Sequence, residues 1–489
     1  MYIGLDIGTT TLSAVVLDTA TGGLLAHHTT PNVAGTFPGP GRAELDMERL
    51  QRLTVECLAG IVAKAQVDPV TIRGIGVTGQ QHGVAFLDSL GVPVRPAITW
   101  QDLRAQEKIP GKDESYLQRL IAQAGGVEAF RRMGCLPAAG FLGTTVFWLH
   151  EQRQLPPLPF TACFIPDGIV TFLSGAPPSS DPTLAASSGV FDIVANDWDW
   201  ALVERLGLPG QIFPPVGVAG QSAGGLRREI AAQTGLPPGL PVGVALGDNQ
   251  ASFIGSVAEP ARSLLLNVGT GGQISACTDE FHFIPGLENR PFPGGHYLLI
   301  GGGLFGGRSY AYLLNFFRQA GAELFDGAAA DDLYERMTAL AARVAPGSDG
   351  LACAPFFTGS RVDPHLRASF TGLSPDNFTP GHFARALLEG MAEGFHRFGE
   401  QMAPIIGERS PLVGAGNGIR RNRLLAGILA ERFAMPLHIP ALAEEAAVGA
   451  AIVAAVGQGE FATLDGATAR LLTYAEDTCS ATPPYPSPF

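Results

Sequence analysis

Asp6 lies near the end of the apolar stretch that opens the chain, and Gly8-Thr9-Thr10 follows it at once. A carboxylate held there can bind Mg²⁺ directly or through water, while the amides and hydroxyls of the turn meet phosphate oxygens. An aspartate beside glycine also makes an ordinary turn, so this motif alone leaves both readings open. Gly269-Thr270-Gly271 forms a second turn of the same kind, suited to holding the same phosphates from the opposite side. Asp248 follows the strand-like Val242–Leu246 and precedes the apolar Ala251–Val257. A carboxylate at a strand end, where a helix begins, points into the crevice in which α/β sheets bind ligands. Close to an alcohol it can accept that alcohol's proton during phosphoryl transfer; with no alcohol nearby it is a helix cap.

Two further clusters suit a polyhydroxylated ligand. Thr78-Gly79-Gln80-Gln81-His82-Gly83 sets amides and an imidazole at a strand end between glycines, where they can donate to and accept from neighbouring hydroxyls. Trp100-Gln101-Asp102, after the short strand expected at Pro96–Thr99, offers an aromatic face beside an amide and a carboxylate. A core tryptophan beside a capping aspartate is the plainer alternative.

The elements that must position these groups alternate between strand and helix. Tyr2–Ile7, Thr11–Asp18 and Leu24–Ala26, joined by Gly-Thr and Gly-Gly turns, read as an antiparallel meander. Asp46 caps a helix on which Leu50, Leu53, Cys57, Leu58, Ile61 and Val62 recur at helical spacing. A strand is expected at Ile72–Thr78, and the alternation argues for α/β architecture. Residues 105–240 are less regular and carry proline-rich loops. The loop-to-strand change at 236–247 marks a domain boundary, giving halves 1–246 and 247–489. After it, Leu264–Ile274 repeats the strand, polar residue, Gly-Thr turn and strand of Ile3–Leu12. That implies an internal duplication with a cleft between the halves, unless the hairpin recurs by chance. Farther on, Pro411–Val413, the loop Gly414-Ala415-Gly416-Asn417-Gly418 and a helix over Arg420–Phe433 would let a nucleotide approach the backbone closely. Glu444–Val456 reads as a tightly packed small-residue helix.

Composition bounds the class. The 489 residues are 46% hydrophobic and 16% charged, enough apolar material for large cores and more than one domain. A net charge of −13 argues against a duplex-binding surface, so no nucleic-acid partner is expected. Six scattered cysteines without a C-x-x-C pair read as reduced thiols. The start lacks a basic segment followed by an apolar core, and no run of about 18 apolar residues occurs. The expectation is therefore a cytoplasmic protein with no membrane partner.

These residues in this order resemble the FGGY family of carbohydrate kinases, within the actin-like ATPase superfamily. The resemblance extends over nearly the whole chain. It rests on Asp6–Thr10, Thr78–Gly83, Trp100–Asp102, Asp248-Asn249, Gly269–Gly271, Gly414–Gly418 and Glu444–Ala451. Two signature regions also resemble the family's, at Phe141–Leu149 and Ala368–Glu389; Thr145 stands where many members have lysine, and Leu387 where a smaller or β-branched residue is usual. The resemblance implies an α/β fold of two actin-like ATPase (ribonuclease H-like) domains with the ligand cleft between them. It implies ATP and Mg²⁺ as cofactors, with Asp248 as general base and Asp6 helping to hold Mg²⁺. Gly8, Thr9, Thr10, Gly269, Thr270 and Gly271 would contact the ATP phosphates, and Gly414, Gly416 and Asn417 would lie along the adenosine. Gln81, His82, Trp100, Asp102, Asp248 and Asn249 would line the sugar pocket. A small-molecule ketose is the partner implied, with room for a homodimer.

The Trp100-Gln101-Asp102 and Gly247-Asp248 segments look closest to sedoheptulose kinases, whereas Asn249 and Gly269-Thr270-Gly271 look more like xylulose kinases. Gln81 departs from the methionine common in both. The expectation is phosphorylation of a terminal primary hydroxyl, of sedoheptulose first, with D-xylulose or D-ribulose as the alternative. An actin-like ATPase without a sugar, or a silent sugar sensor, are the readings from other classes. The Gln81-His82 and Trp100–Asp102 pocket speaks against the first, and the two intact aspartates speak against the second.

Overall fold

A computed structural model describes residues 1–325, 331–359, 365–475 and 479. The opening meander forms as β1 (Tyr2–Ile7), β2 (Thr11–Leu17) and β3 (Leu24–Pro31), and α1 (Met47–Ala65) crosses over it. Asp46 caps α1 as its sequence implied, accepting from the Arg49 N–H at 3.0 Å. The next strand, β4, spans Ile75–Gly79; it starts later than expected because Asp68 and Pro69 set up a 3₁₀ turn over Pro69–Thr71. The less regular middle contains several helices, among them α2 (Leu142–Glu151), whose residues from Leu142 to Leu149 are buried. Then come β5 (Ser222–Gly225), β6 (Pro241–Gly243), β7 (Leu246–Gly247) and the short helix α3 (Asp248–Ile254). The first sheet runs β5-β6-β4-β1-β2-β3, and β7 pairs with β4.

The second sheet repeats this plan. Its strands are β8 (Leu264–Val268), β9 (Gly271–Thr278), β10 (Glu288–Phe292), β11 (His296–Phe305), β12 (Leu412–Ala415) and β13 (Leu437–His438). They run β10-β11-β9-β8-β12-β13. In each sheet a central strand pairs antiparallel with its successor and parallel with a strand far later in the chain: β1 with β2 and β4, β8 with β9 and β12. Asp6 sits opposite Ser13 and Thr78, and Asn267 opposite Gln273 and Ala415, so the two polar residues hold equivalent places. The recurring hairpin is thus one part of a repeated topology.

The sheet changes between Gly247 and Leu264, but packing does not respect that division. Helix α4 (Pro380–Ile406) and α5 (Arg423–Phe433) cover the second sheet. The small-residue helix α6 (Glu445–Gly457) packs instead on β1 and β4 of the first half and on α3. One core cluster accordingly joins Tyr2 and Val15 to Leu265, Val413 and Ile452. The contact is backbone-close: a Cβ on Gly4 would lie 1.8 Å from the Ala447 carbonyl oxygen, and one on Gly76 1.9 Å from that of Ala450. Small residues are what let the helix lie this near the sheet.

Two local expectations are corrected. The strand at 96–99 is reduced to Ala97–Ile98. The helix expected over 420–433 is two helices, Asn417–Arg420 and α5, because Asn422 caps the second by accepting from the Leu425 N–H at 3.0 Å.

Candidate active site

Residues from both halves line one cavity of about 170 Å³: Gln81, His82 and Trp100 from the first, Asp248 and Asn249 from the linking helix, and Gln273, Glu288 and Arg290 from the second sheet. Pairing of β7 with β4, Gly247 opposite Gly79, sets the start of α3 beside the residues that follow β4. A Cβ on Gly247 would lie 1.8 Å from Gln81 Nε2, so a larger residue there would push that amide aside. That nitrogen donates to Gln250 Oε1 at 2.6 Å, so Gln81 is fixed across the junction between the two segments.

Asp248 is the first residue of α3, and Gly247 is the cap. Its Oδ1 accepts from the Asn249 N–H at 2.8 Å. Burial pushes its carboxyl up to about 6, against the lowering pull of that N–H. Such a group is still ionised near neutrality and is basic enough to take a proton from an alcohol. Asn249 Oδ1 accepts from Gln273 Nε2 at 2.7 Å, which orients the amide.

His82 has an unusual backbone, with φ of 75°. Its N–H donates to Ser187 Oγ and its Nδ1 lies 3.1 Å from the Ser187 carbonyl oxygen, each at 3.1 Å. A carbonyl only accepts, so Nδ1 carries a proton and donates. The ring stacks on Phe141 with centroids 4.2 Å apart. Trp100 is 46% exposed, and its indole N–H donates to Thr9 Oγ1 at 3.0 Å. The wall of the cavity is thereby tied to the Gly8-Thr9-Thr10 turn, whose Gly8 carbonyl accepts from Asn32 Nδ2 at 2.8 Å.

Asp6 Oδ1 is buried without a partner. Burial, then the like charges of Asp248 and Glu444, push its carboxyl up to about 8. A buried carboxylate facing two others and lacking a donor is a place that favours a cation. Among the described residues no three acidic, histidine or cysteine side chains form a metal cage. An ion here would keep water or phosphate oxygens as most of its ligands, which is the habit of Mg²⁺.

One residue expected to line the sugar pocket falls elsewhere. Asp102 does not line the cavity; it is wholly buried, and both its oxygens are taken. Oδ1 accepts from Arg104 N and Nε at 2.9 and 2.7 Å, and Oδ2 from Arg104 Nη2 and Ala43 N at 2.8 Å each. It builds the loop that presents Trp100. Gly414 lies within β12, and its missing side chain leaves room for Leu437 and Ile419, so core packing explains it. Gly416, with φ of 83°, approaches the Val268 carbonyl, and Asn417 is exposed beside it. Gly269, Thr270 and Gly271 are exposed at the β8–β9 turn, where the Gly269 carbonyl accepts from the Gly307 N–H at 2.9 Å. Thr145 is fully buried in α2, and its hydroxyl has no partner.

Gln273, Glu288 and Arg290 were not singled out from the sequence. The signal available was the alternation Glu288-x-Arg290, which puts both on one face of a strand. Arg290 Nε and Nη2 donate to Glu288 Oε2 at 3.0 and 2.8 Å, and Nη1 donates to the Ala186 carbonyl at 3.0 Å.

Comparison with known proteins agrees with this geometry. Residues 1–255 match the N-terminal domain of the FGGY family of carbohydrate kinases, and residues 264–458 match its C-terminal domain. A sedoheptulokinase of Homo sapiens is 28% identical over 490 residues, covering 92% of this chain and 96% of the relative. An autoinducer-2 kinase of Escherichia coli (strain K12) is 28% identical over 500 residues, covering 96% and 89%. The crystal structure of a xylulose kinase from Rhodospirillum rubrum superposes with a TM-score of 0.85 at 28% identity, covering 98% of this chain and 94% of that one. With the two family domains found in order over most of its length, around a cavity that draws on both halves, the chain belongs to the FGGY family of carbohydrate kinases, phosphotransferases that act on sugar hydroxyls.

Proposed function

We propose that this sugar kinase transfers the γ-phosphoryl group of ATP to the terminal primary hydroxyl of a ketose, with sedoheptulose preferred and D-xylulose or D-ribulose as the alternative. The halves 1–246 and 247–489 are its two lobes. The observation that carries the reading is the cavity in which Asp248 stands among Gln81, His82, Trp100 and Asn249. These groups offer donors, acceptors and one flat apolar face, the set an extended polyol needs. The likeness to a sedoheptulokinase and to a xylulose kinase supports both candidate substrates.

In this reading Asp248 accepts the proton of the terminal hydroxyl as its oxygen bonds to phosphorus and ADP leaves. Gln81, His82 and Asn249 hold the other hydroxyls, and Trp100 covers the chain and keeps water out. Gly8–Thr10 and Gly269–Gly271 present amides and hydroxyls to the phosphates, and Gly416 and Asn417 flank the nucleoside. Asp6, with its unpartnered buried oxygen, would hold Mg²⁺, which when bound neutralises charge on the phosphate oxygens.

A coupled assay on purified protein with sedoheptulose, D-xylulose, D-ribulose and glycerol tests it. Sedoheptulose should give the highest kcat/KM and glycerol the lowest, because glycerol leaves most buried partners unpaired. Leadership by xylulose would favour the alternative. ATP turnover that no sugar stimulates would instead favour an ATPase, and sugar binding without turnover a sensor.

A further inference from the structure

The cavity contains two carboxylates, Asp248 and Glu288, and one guanidinium, that of Arg290. Arg290 would ordinarily be an anchor for a sugar acid, since a guanidinium recognises a carboxylate by paired N–H donors. Here that capacity is already used. Two of its nitrogens are on Glu288 Oε2 and a third is on the Ala186 carbonyl, while the side chain is only 5% exposed. Its face lies over Phe141, 5.9 Å from the ring centroid, which further fixes the plane. Glu288 and Arg290 sit two apart on β10 and so share one face. A ligand carboxylate entering this space would meet Asp248 and Glu288 and would have to displace Glu288 from a charge that is buried.

The geometry points to Glu288 as a specificity-determining residue: by occupying Arg290 it makes the cavity select neutral polyhydroxy substrates and reject sugar acids of the same length. This deepens the proposed function and rests on reading the cavity as the sugar site. Discrimination by an unfavourable charge, as opposed to an added contact, is the physical principle.

The test uses the whole protein and two calorimetric comparisons. Wild-type protein should bind D-gluconamide at least about tenfold more tightly than D-gluconate, two ligands that differ essentially in the charge at one end. Glu288→Gln removes a charge while keeping size and an acceptor for Arg290. It should raise gluconate affinity at least about tenfold, and adding Arg290→Gln should abolish that gain. The gain should also shrink as salt is raised. Equal or tighter gluconate binding by wild-type protein, or no gain in Glu288→Gln, overturns the inference. The wild-type comparison needs no variant, so a misfolded mutant does not protect the idea. Ketose turnover by wild-type protein is read separately, so failure of the kinase reading and failure of this one are distinguishable.

Discussion

The Trp100 indole N–H donates to the Thr9 hydroxyl at 3.0 Å, linking the cavity wall to the first Gly-Thr turn. Residues 91 positions apart in sequence thus couple the two ends of the proposed transfer. Trp100→Phe keeps an apolar face but removes the donor, and Thr9→Val removes the acceptor. Each should lower kcat/KM for ATP about two- to tenfold, the range expected for one partly exposed hydrogen bond. The double variant should be no worse than the poorer single one; fully additive losses would show that the two residues act independently.

Asp248→Asn preserves shape and much of the hydrogen bonding but cannot accept a proton. Turnover should fall by roughly 10²–10⁴, while binding of the ketose, measured by calorimetry, persists in part. Near-normal turnover would reduce Asp248 to a structural residue at the start of α3.

Gly449 on α6 tests how the fold holds Asp248. A Cβ there would lie 1.9 Å from the Ala251 carbonyl oxygen of α3, the helix that begins with Asp248. Helix propensity alone favours alanine by roughly 1 kcal/mol. Overpacking of this kind costs about 1–3 kcal/mol and forces backbone to move. Gly449→Ala should therefore lower Tm and also depress kcat, since the displaced helix carries Asp248, the proposed base. A higher Tm would mean that the helices separate without strain.

Asp167 gives a pH-dependent effect away from the cavity. Its Oδ2 accepts from the Phe164 N–H at 3.1 Å and from the Ser180 hydroxyl, but Oδ1 is buried without a partner. Burial, with Asp181 adding to it, pushes the carboxyl up to about 8 from an ordinary 3.8. The protonated form is thus the one the fold prefers. Its stabilisation is complete below the unfolded value and is lost as pH rises from about 4 towards about 8. Asp167→Asn is neutral throughout, so its Tm relative to wild type should climb between about pH 5 and about pH 8. A pH-independent difference in Tm would show that Asp167 does not titrate in this window.

The candidate chemical groups and the repeated hairpins are legible in short stretches of the chain. Asp6 before Gly8, Asp248 after a strand, and the Gly-Thr turn at 269–271 are legible because turn and strand propensities act over a few residues. The same holds for the Asp46 cap and for the small-residue helix at 445–457, whose composition announces close packing. Asp102 was not legible: a carboxylate beside an exposed tryptophan looks like a ligand group until Arg104 and Ala43 are seen to take both oxygens. The packing of Gly414 beneath Leu437 was not legible either, because nothing local says that β12 runs on to Ala415. Glu288 and Arg290 became site residues only when β10, from the second sheet, met Phe141 and Ala186 of the first half. Such contacts depend on which faces of distant segments are buried together, a free-energy balance over the whole core that no short window of sequence contains.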